Sequence, residues 1–548
     1  MRRVFLVAAC AASFAAACLG AAVTAPAAVT DASVLAFVAA GIVVWAGVGA
    51  AMSPGAETGA SSGQTGLKSR QSDRDRVQMS PTAPGDGSAS SESDRPVGFH
   101  REKWAFTRTE PQATPPPDPA TPANLRPDPP REDRRRLLTP VSPGTATFGP
   151  GQARQTALIL LAATLVRLAW LLAPPVYSDD VYRYVWEGRV WAAGHNPFAL
   201  APNDPALTGL RDAAIWPHVN HPELSSIYPP FAQLLFVLLA PGGLLAWKLI
   251  ATLADVGTCF LLARRSARSA LLWALLPLTA VESAGSGHLE SIAIFCTLAA
   301  LSTTAIARPP ATAPPSPAQN LSKPTTSLLI PPRAAAIALA WVAAMLKLLP
   351  AVTLLPLLRT PRAWALAIVA TILAFLPILA AGPHLLAGFN AYRDHWSFNG
   401  SAYPLLGALA ADAGLTGDPA RTLLQVLGAT ILAGQAWRLR HAPPAEAAVS
   451  LTMTATAAFV LLSPTVHPWY VLWPLSVALW IGGPSSATWT LAAVLVPVAY
   501  RVLGTLHDGV WHEDPLTRWV IWGPVWAMVG RGAWHSRARQ RLFLGSSS

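Results

Sequence analysis

The sequence predicts an all-α polytopic membrane protein, and three observations support this fold class. Only 13% of the 548 residues are charged and 52% are hydrophobic, whereas a soluble globular chain carries about 25% charged residues. Apolar runs of about 20 residues recur along the chain, and each could cross a hydrocarbon layer roughly 30 Å thick. Arginines concentrate in the short loops between these runs, which is the pattern of cytoplasmic loops.

The net charge of +11 arises largely from basic segments, which include "ARRSAR" at 263–268, "RTPR" at 359–362, "WRLRH" at 437–441 and the C-terminal "RARQR". These segments flank apolar runs and do not form one amphipathic face. They therefore orient membrane helices and do not predict nucleic-acid binding. The four cysteines lie in apolar segments and lack the spacing of a metal site or a disulfide framework.

Composition divides the chain into four regions. Residues 1–52 hold two apolar segments, interpreted as two N-terminal membrane helices, with a signal-like segment as the alternative. Residues 53–153 are rich in Pro, Ser, Gly and Arg, and such a composition predicts a disordered linker. The transmembrane core at 154–535 carries most of the 10–13 membrane helices that we expect, and residues 536–548 form a basic cytoplasmic tail.

Hydropathy places the core helices and their topology. Shorter helices are expected at 181–193, 229–240 and 403–411, and spans are expected at 155–174, 244–264, 269–284, 288–306, 334–358, 362–381, 420–438, 446–462, 468–482, 487–503 and 516–530. If the arginines at 134–136 are cytoplasmic, the first core span runs outward and the polar loops gather on the extracytoplasmic face. Segment 334–358 does not fit this count, because cytoplasmic signals flank both of its ends.

Two adjacent acids, Asp179 and Asp180, follow the first core span in "YSDDVYRYVWEGR". They could simply occupy a helix cap and first turn, where acids complement the helix dipole. On a helix that begins near residue 180, however, Asp180, Arg183 and Glu187 share one face. An ionised carboxylate at the membrane surface can accept a proton from an alcohol as a general base. We therefore expect Asp179 or Asp180 to be this base, and the pattern does not choose between them.

Further polar and aromatic side chains are expected in loops on the same face, or within the membrane. Lys347 lies in an apolar run, where a cation is costly and normally faces a partner or a water-filled cavity. Helix capping, snorkelling and anchoring at the lipid interface are the structural alternatives for these residues. The candidate substrate contacts are Arg183, Glu187, Tyr228, His288, Glu290, Lys347, Arg393, Asn399, His467, Trp469 and Tyr470.

Several segments in this order resemble one known family. They are "SDDVYRYVWEGR", "GHNPF", "YPPFAQ", "GSGHLES", "KLLP", "HWSFNGS" and "SPTVHPWYVLW". Together, over about 154–505, they resemble the bacterial polyprenyl-phosphate-sugar-dependent glycosyltransferases of the GT-C superfamily, especially the mannosyltransferase-like members. The resemblance implies a GT-C-like multi-helix bundle in the cell membrane whose extracytoplasmic loops carry the active site. The N-terminal spans and the long linker depart from the usual layout of that family.

The resemblance implies transfer of a hexose, with mannose expected, from a polyprenyl-phosphate donor to a lipid or glycan acceptor. The base is then Asp179 or Asp180, Lys347 with Arg393 or Arg183 stabilises the departing phosphate, and His288 and His467 orient the substrates. The chain has no nucleotide-binding motif, so a lipid-borne donor would supply the energy. No cofactor is expected apart from a divalent cation, which is left open. The alternative function is a transporter or flippase of a lipid-linked or small polar solute.

Overall fold

The computed structural model describes residues 149–175, 178–306, 331–499 and 515–544. The predicted N-terminal helices at 1–52 lie outside the described residues, as does nearly all of the linker at 53–153. Of the predicted tail at 536–548, the structure describes only the backbone helix up to residue 544. The interpretations of these three regions stay predictions.

The described ranges consist of α-helices joined by turns and short 3₁₀ segments, and within them the only β pairing is two isolated bridges to Thr465. The helices are α1 Pro150–Leu171, α2 Asp180–Ala192, α3 Pro230–Leu239, α4 Gly243–Ala263, α5 Ala267–Leu275, α6 Pro277–Ala280, α7 Leu289–Ile306, α8 Pro332–Leu346, α9 Ala351–Leu354, α10 Pro361–Leu379, α11 Ala387–His395, α12 Tyr403–Asp412, α13 Pro419–Arg438, α14 Pro444–Leu462, α15 Leu472–Ile481, α16 Pro484–Leu495 and α17 Pro515–Leu544. The predicted all-α polytopic membrane fold is confirmed.

By length and composition, four helical stretches in the described ranges are long and apolar enough to cross a membrane: Pro150–Leu171, Pro230–Ala263, Pro361–Leu379 and Pro444–Leu462. The bent pair Pro277–Gly285 and Leu289–Thr304, whose halves meet at 114°, passes the same test only as a pair and is either a broken span or a re-entrant loop. Several of the expected 10–13 crossings are therefore shorter or broken helices rather than single long ones. Hydropathy alone cannot show such breaks, because it averages over a window of residues.

The predicted single span at 334–358 is wrong, because this segment is a helical hairpin. Helix α8 ends at Leu346, and the chain returns through α9 and a 3₁₀ turn at Leu355–Leu357. Arg333 at the start of α8 donates to the carbonyl of Leu357 at 3.4 Å, so both ends of the hairpin lie together. Arg359, just beyond it, donates to the carbonyls of Arg440 and Ala442. This geometry explains why basic residues flank both ends.

Helix α2 crosses α3 at very close range, and Gly188 makes this contact possible. A Cβ atom at residue 188 would lie 2.1 Å from the carbonyl oxygen of Phe236. Tyr184 and Trp186 on α2 are fully buried, and Tyr184 stacks on Phe236 with ring centroids 4.9 Å apart. Helix α2 is therefore a core element, and it carries Asp179 and Asp180 at its N-terminus.

A buried ion pair joins α1 to α4. Arg167 on α1 pairs with Asp255 on α4, and both side chains are at most 1% exposed. Asp255 also accepts from the indole of Trp273 at 2.8 Å. Lys248 on α4 donates to the carbonyls of Trp170 and Ala173 at the end of α1. These contacts satisfy charged groups that would otherwise be costly in an apolar interior.

Candidate active site

The two adjacent aspartates stand at the N-terminus of α2 and share one hydrogen-bond donor. The side-chain amide of Asn220 donates to Asp179 Oδ1 at 2.8 Å and to Asp180 Oδ1 at 2.7 Å. Asp179 is the N-cap residue but its carboxylate accepts no capping hydrogen bond. Desolvation by the surrounding protein, and then the charge of Asp180, raise the pKa of Asp179 above its ordinary value, although the residue is partly open to solvent. The acids are therefore held together for a reason other than capping.

Arg183 and Glu187 hold the loop that carries Asn220. Arg183 pairs with Glu187 at 2.9 Å, and its guanidinium also donates to the carbonyls of Asn220 and His221, both at 3.0 Å. Glu187 is 1% exposed and accepts from Ser226 and Gln233. The predicted shared face of Asp180, Arg183 and Glu187 is present, since all three side chains converge on the loop at 220–226. Arg183 and Glu187 use their polar atoms within the protein, which favours support of the aspartates over substrate contact.

His288 lies where the bent helix pair breaks, directly after Gly287, which has a φ of +67°. Its ring is fully buried. His288 Nδ1 lies 2.6 Å from Glu282 Oε2, and when Glu282 is ionised its carboxylate can only accept, so that Nδ1 is the donor of this hydrogen bond. On the other side, His288 Nε2 lies 2.8 Å from Ser178 Oγ and 3.8 Å from Asp180 Oδ2. A carboxylate, a histidine and the aspartate pair thus form one continuous polar row.

Aromatic rings from the segment at 463–471 cover this row. Trp469 packs on His288 with ring centroids 4.2 Å apart, and His467 stacks on Trp469 at 4.3 Å. Tyr470 meets Tyr392 through their hydroxyls at 2.7 Å. Burial lowers the pKa of His467 to about 4, and the charges of Asp180, His288 and Lys347 also act on this pKa. These charged groups therefore lie within electrostatic range of His467.

Lys347 is not inside a helix, because α8 ends one residue before it. It sits at the tip of the hairpin, with its side chain 24% exposed, and its Nζ lies 2.9 Å from Glu290 Oε1. The ring centroid of Tyr228 lies 5.4 Å from the same Nζ, within cation–π range. The ammonium group thus has one carboxylate partner, is partly exposed, and can still donate to an anionic ligand.

Two predicted contacts lie apart from this cluster. Arg393 is exposed and pairs with its neighbour Asp394 at 2.7 Å. Asn399 is 5% exposed, donates to the carbonyl of Val466 at 3.3 Å, and accepts from the indole of Trp522 through its own carbonyl at 3.0 Å. Asn399 thus supports the segment before His467.

Sequence reasoning missed three members of the cluster: Ser178, Asn220 and Glu282. Glu282 carried a usable signal, because a lone acid in an apolar run is normally functional. Asn220 carried none, since a loop asparagine is common and its two partners lie 40 residues away in the chain. Among the described residues, no group of three or more His, Cys, Asp or Glu side chains is arranged to hold a metal ion. The divalent cation that was left open stays untested.

The cluster combines the parts that a displacement reaction at a membrane surface needs. It offers a partly exposed carboxylate that can accept a proton, an ammonium that can meet a departing anion, and aromatic faces that can stack on a sugar. No curated protein and no solved structure matches the chain. Residues 405–507, which include His467, Trp469 and Tyr470, match the family model described as the MptB C-terminal domain, and this match supports a mannosyltransferase-like family of the MptB, GT-C type.

Proposed function

We propose that the protein is a membrane glycosyltransferase that moves a hexose, specifically mannose, from a polyprenyl-phosphate carrier to a lipid or glycan acceptor. The proposal places this reaction at the extracytoplasmic face of the cell membrane. The observation that carries it is the aspartate pair on the amide of Asn220, with His288 Nε2 3.8 Å from Asp180 Oδ2. Asp180 and Lys347 both lie within electrostatic range of His467. The match to the MptB C-terminal domain at 405–507 supports the same reaction class.

Asp180 is the base in this proposal. Asn220 holds its Oδ1, while Oδ2 lies 3.8 Å from His288 Nε2. As the acceptor oxygen attacks the anomeric carbon, its proton passes to Asp180 Oδ2. The bond from the anomeric carbon to the phosphate oxygen breaks, and its electron pair leaves with the phosphate. A single direct displacement of this kind inverts the anomeric configuration.

Lys347 stabilises the leaving phosphate, which is an anion that an ammonium group can bind. Charge stabilisation of this kind is often the largest contribution to catalysis. His467, which is partly exposed and backed by the buried ring of Trp469, offers an aromatic face against which the sugar ring can stack. Asp179 shares Asn220 with Asp180 and keeps the negative charge of the site high, which favours proton uptake by its neighbour.

The test is mannosyl transfer from labelled polyprenyl-phosphate mannose by membranes that contain the protein. Asp180→Asn keeps the hydrogen bond to Asn220 in reach and removes the base, so we expect a loss of about 10²–10⁴-fold in kcat. Asp412→Asn is the matched control, because Asp412 is exposed at the end of α12. Unchanged transfer by both Asp179→Asn and Asp180→Asn would contradict the proposal.

The face of the membrane needs its own test. Asn203→Cys places a thiol on the exposed loop between α2 and α3. An impermeant thiol reagent applied to intact cells should label it if the loop is extracytoplasmic. Labelling only after permeabilisation would place the aspartates in the cytoplasm and remove the carrier-linked donor from reach.

A second candidate is a transporter or flippase, and two broken helices favour it. The break at Gly287 and the tip at Lys347 meet through the pair of Lys347 with Glu290, and transporters place such breaks at their substrate sites. Purified protein in detergent separates the two candidates. A transferase transfers mannose from the lipid donor to an acceptor without vesicles, whereas a transporter cannot.

A further inference from the structure

We infer that Glu282 and His288 are positioning residues for the base: His288 takes over the proton that Asp180 removes from the acceptor, and Glu282 stabilises the resulting imidazolium. The inference rests on the proposed function, because it needs a base that is protonated in each turnover. It assigns a role to a buried carboxylate that no motif of the sequence singled out.

The geometry supplies the order of the three groups. Glu282 Oε2, His288 Nδ1, His288 Nε2 and Asp180 Oδ2 follow one another, with 2.6 Å across the first gap and 3.8 Å across the last. A shift of about 1 Å would bring the last pair to hydrogen-bond length. Ser178 Oγ lies 2.8 Å from the same Nε2 and holds the ring in this orientation. The imidazole is therefore aimed at the base.

The proton balance follows from the hydrogen bonds. With Glu282 ionised, the neutral imidazole carries its proton on Nδ1, so Nε2 is an acceptor. Its lone pair accepts from the Ser178 hydroxyl at 2.8 Å and turns to Asp180 Oδ2, 3.8 Å away, when the proton is transferred. The proton of the acceptor hydroxyl moves to Asp180 Oδ2 and then to His288 Nε2. The imidazolium formed is paired with the Glu282 carboxylate, and Asp180 is ionised again. No oxidant, metal or further reactant enters this step.

Two observations argue against a purely structural pair. Glu282 Oε1 is buried and has no hydrogen-bond partner among the described residues, and such a group costs free energy in a fold that needs only an anchor. Glu282 also lies in a π-helical turn at Val281–Gly285, a distortion that recurs at functional sites. The unpartnered carboxylate oxygen and the π-helical turn are both unfavourable for folding alone, and both accompany the placement of the Glu282 carboxylate beside His288.

The surroundings of His288 contain several other charged or titratable groups. Asp180 on α2 and Glu290 on α7 face it in addition to Glu282. Across Trp469 lies His467, which His288 also influences. A pH profile of the wild type therefore contains contributions from several groups. The test therefore compares the pH profile of each variant with that of the wild type and does not interpret a single profile.

The variant Glu282→Gln isolates the charge, because the Gln carbonyl can still accept from Nδ1. We expect kcat for mannosyl transfer to fall about tenfold or more with the KM for the donor unchanged. Without the anion the imidazolium is less stable, so the acidic limb of the kcat profile should move to lower pH by about one unit. Glu282→Asp, which keeps the charge, should restore part of both properties. Glu446→Gln, at the start of α14, is the matched control.

Wild type and Asp180→Asn are assayed in parallel, each in its own preparation of the same kind of membranes. If Asp180→Asn is inactive while Glu282→Gln keeps the wild-type kcat and limb, the inference is overturned and the proposed function stands. The inference is also overturned if Glu282→Gln raises only the KM for the donor and leaves the acidic limb of the kcat profile where it is in the wild type. If Glu282→Gln does not accumulate in membranes, His288→Gln takes its place, and it should lower kcat and remove the part of the limb that His288 contributes. An acidic limb of the kcat profile of His288→Gln that is unchanged from that of the wild type would overturn the inference.

Discussion

Lys347 Nζ lies 2.9 Å from Glu290 Oε1, and this ion pair joins the tip of the α8–α9 hairpin to the first turn of α7. Glu290 is 1% exposed, so Lys347→Met leaves a buried and unpaired carboxylate. Breaking a buried pair costs about 3–5 kcal/mol, and partial exposure of Lys347 places the expected loss at the lower end of that range. We expect lower thermal stability in detergent and at least tenfold weaker mannosyl transfer.

The double variant Lys347→Met with Glu290→Gln separates these two effects. Removing both charges should restore much of the thermal stability, because no unpaired charge remains. Transfer should stay weak, since the ammonium group for the phosphate is still missing. Recovery of both stability and transfer in the double variant would show that Lys347 only neutralises Glu290.

Asn220 should be as important as the acids that it holds. In Asn220→Ala the two carboxylates lose their common donor and repel each other at close range. A hydrogen bond to a charged group contributes about 1.5–3 kcal/mol, so kcat/KM for transfer should fall about ten- to a hundredfold. Asn203→Ala, on the same loop and exposed, is the control. Equal activity of the two variants would refute the role given to Asn220.

Gly188 should tolerate no side chain. The Cβ atom of Gly188→Ala would overlap the backbone of Phe236 at 2.1 Å, and a backbone atom cannot rotate away. We expect α2 to lose its packing against α3, with little folded protein in membranes. Gly209→Ala, where nothing lies within 4 Å of the added atom, should accumulate normally. Size-exclusion profiles in detergent compare the two, and similar monodisperse peaks would count against the close crossing.

The stability of the protein should depend on pH through His467. Burial lowers its pKa from the ordinary value of 6.5 to about 4, so the folded state binds fewer protons than the unfolded state between these values. The stabilisation is then complete above pH 6.5 and declines as the pH falls towards 4. The thermal midpoint of the wild type should fall across this window more than that of His467→Gln. The exposed His384→Gln should behave like the wild type, and parallel curves for all three proteins would contradict the expectation.

Local sequence pattern predicted the helices well where one apolar period continues without interruption. The expected helix at 181–193 is found at Asp180–Ala192, and the expected helix at 403–411 is found at Tyr403–Asp412. The pattern failed at 334–358, because the residues on both sides of Lys347 are equally apolar and the returning leg of the chain packs against α14. The sequence predicts that His288 and Asp180 belong to one site, and in the structure their side chains lie 3.8 Å apart. The partners Asn220 and Glu282 depend on contacts between distant segments, which no local period encodes.

The α8–α9 hairpin has a consequence for the rest of the chain. Because Arg333 reaches Leu357, the segment enters and leaves the helical body on one side. The number of membrane crossings that this segment makes is therefore even. Every later helix keeps the orientation in the membrane that it would have if residues 332–357 were deleted. A reporter fused at residue 331 and one fused at residue 360 should therefore give the same signal. Insertion or deletion of such a hairpin as a whole therefore does not reverse the membrane orientation of the helices that follow it.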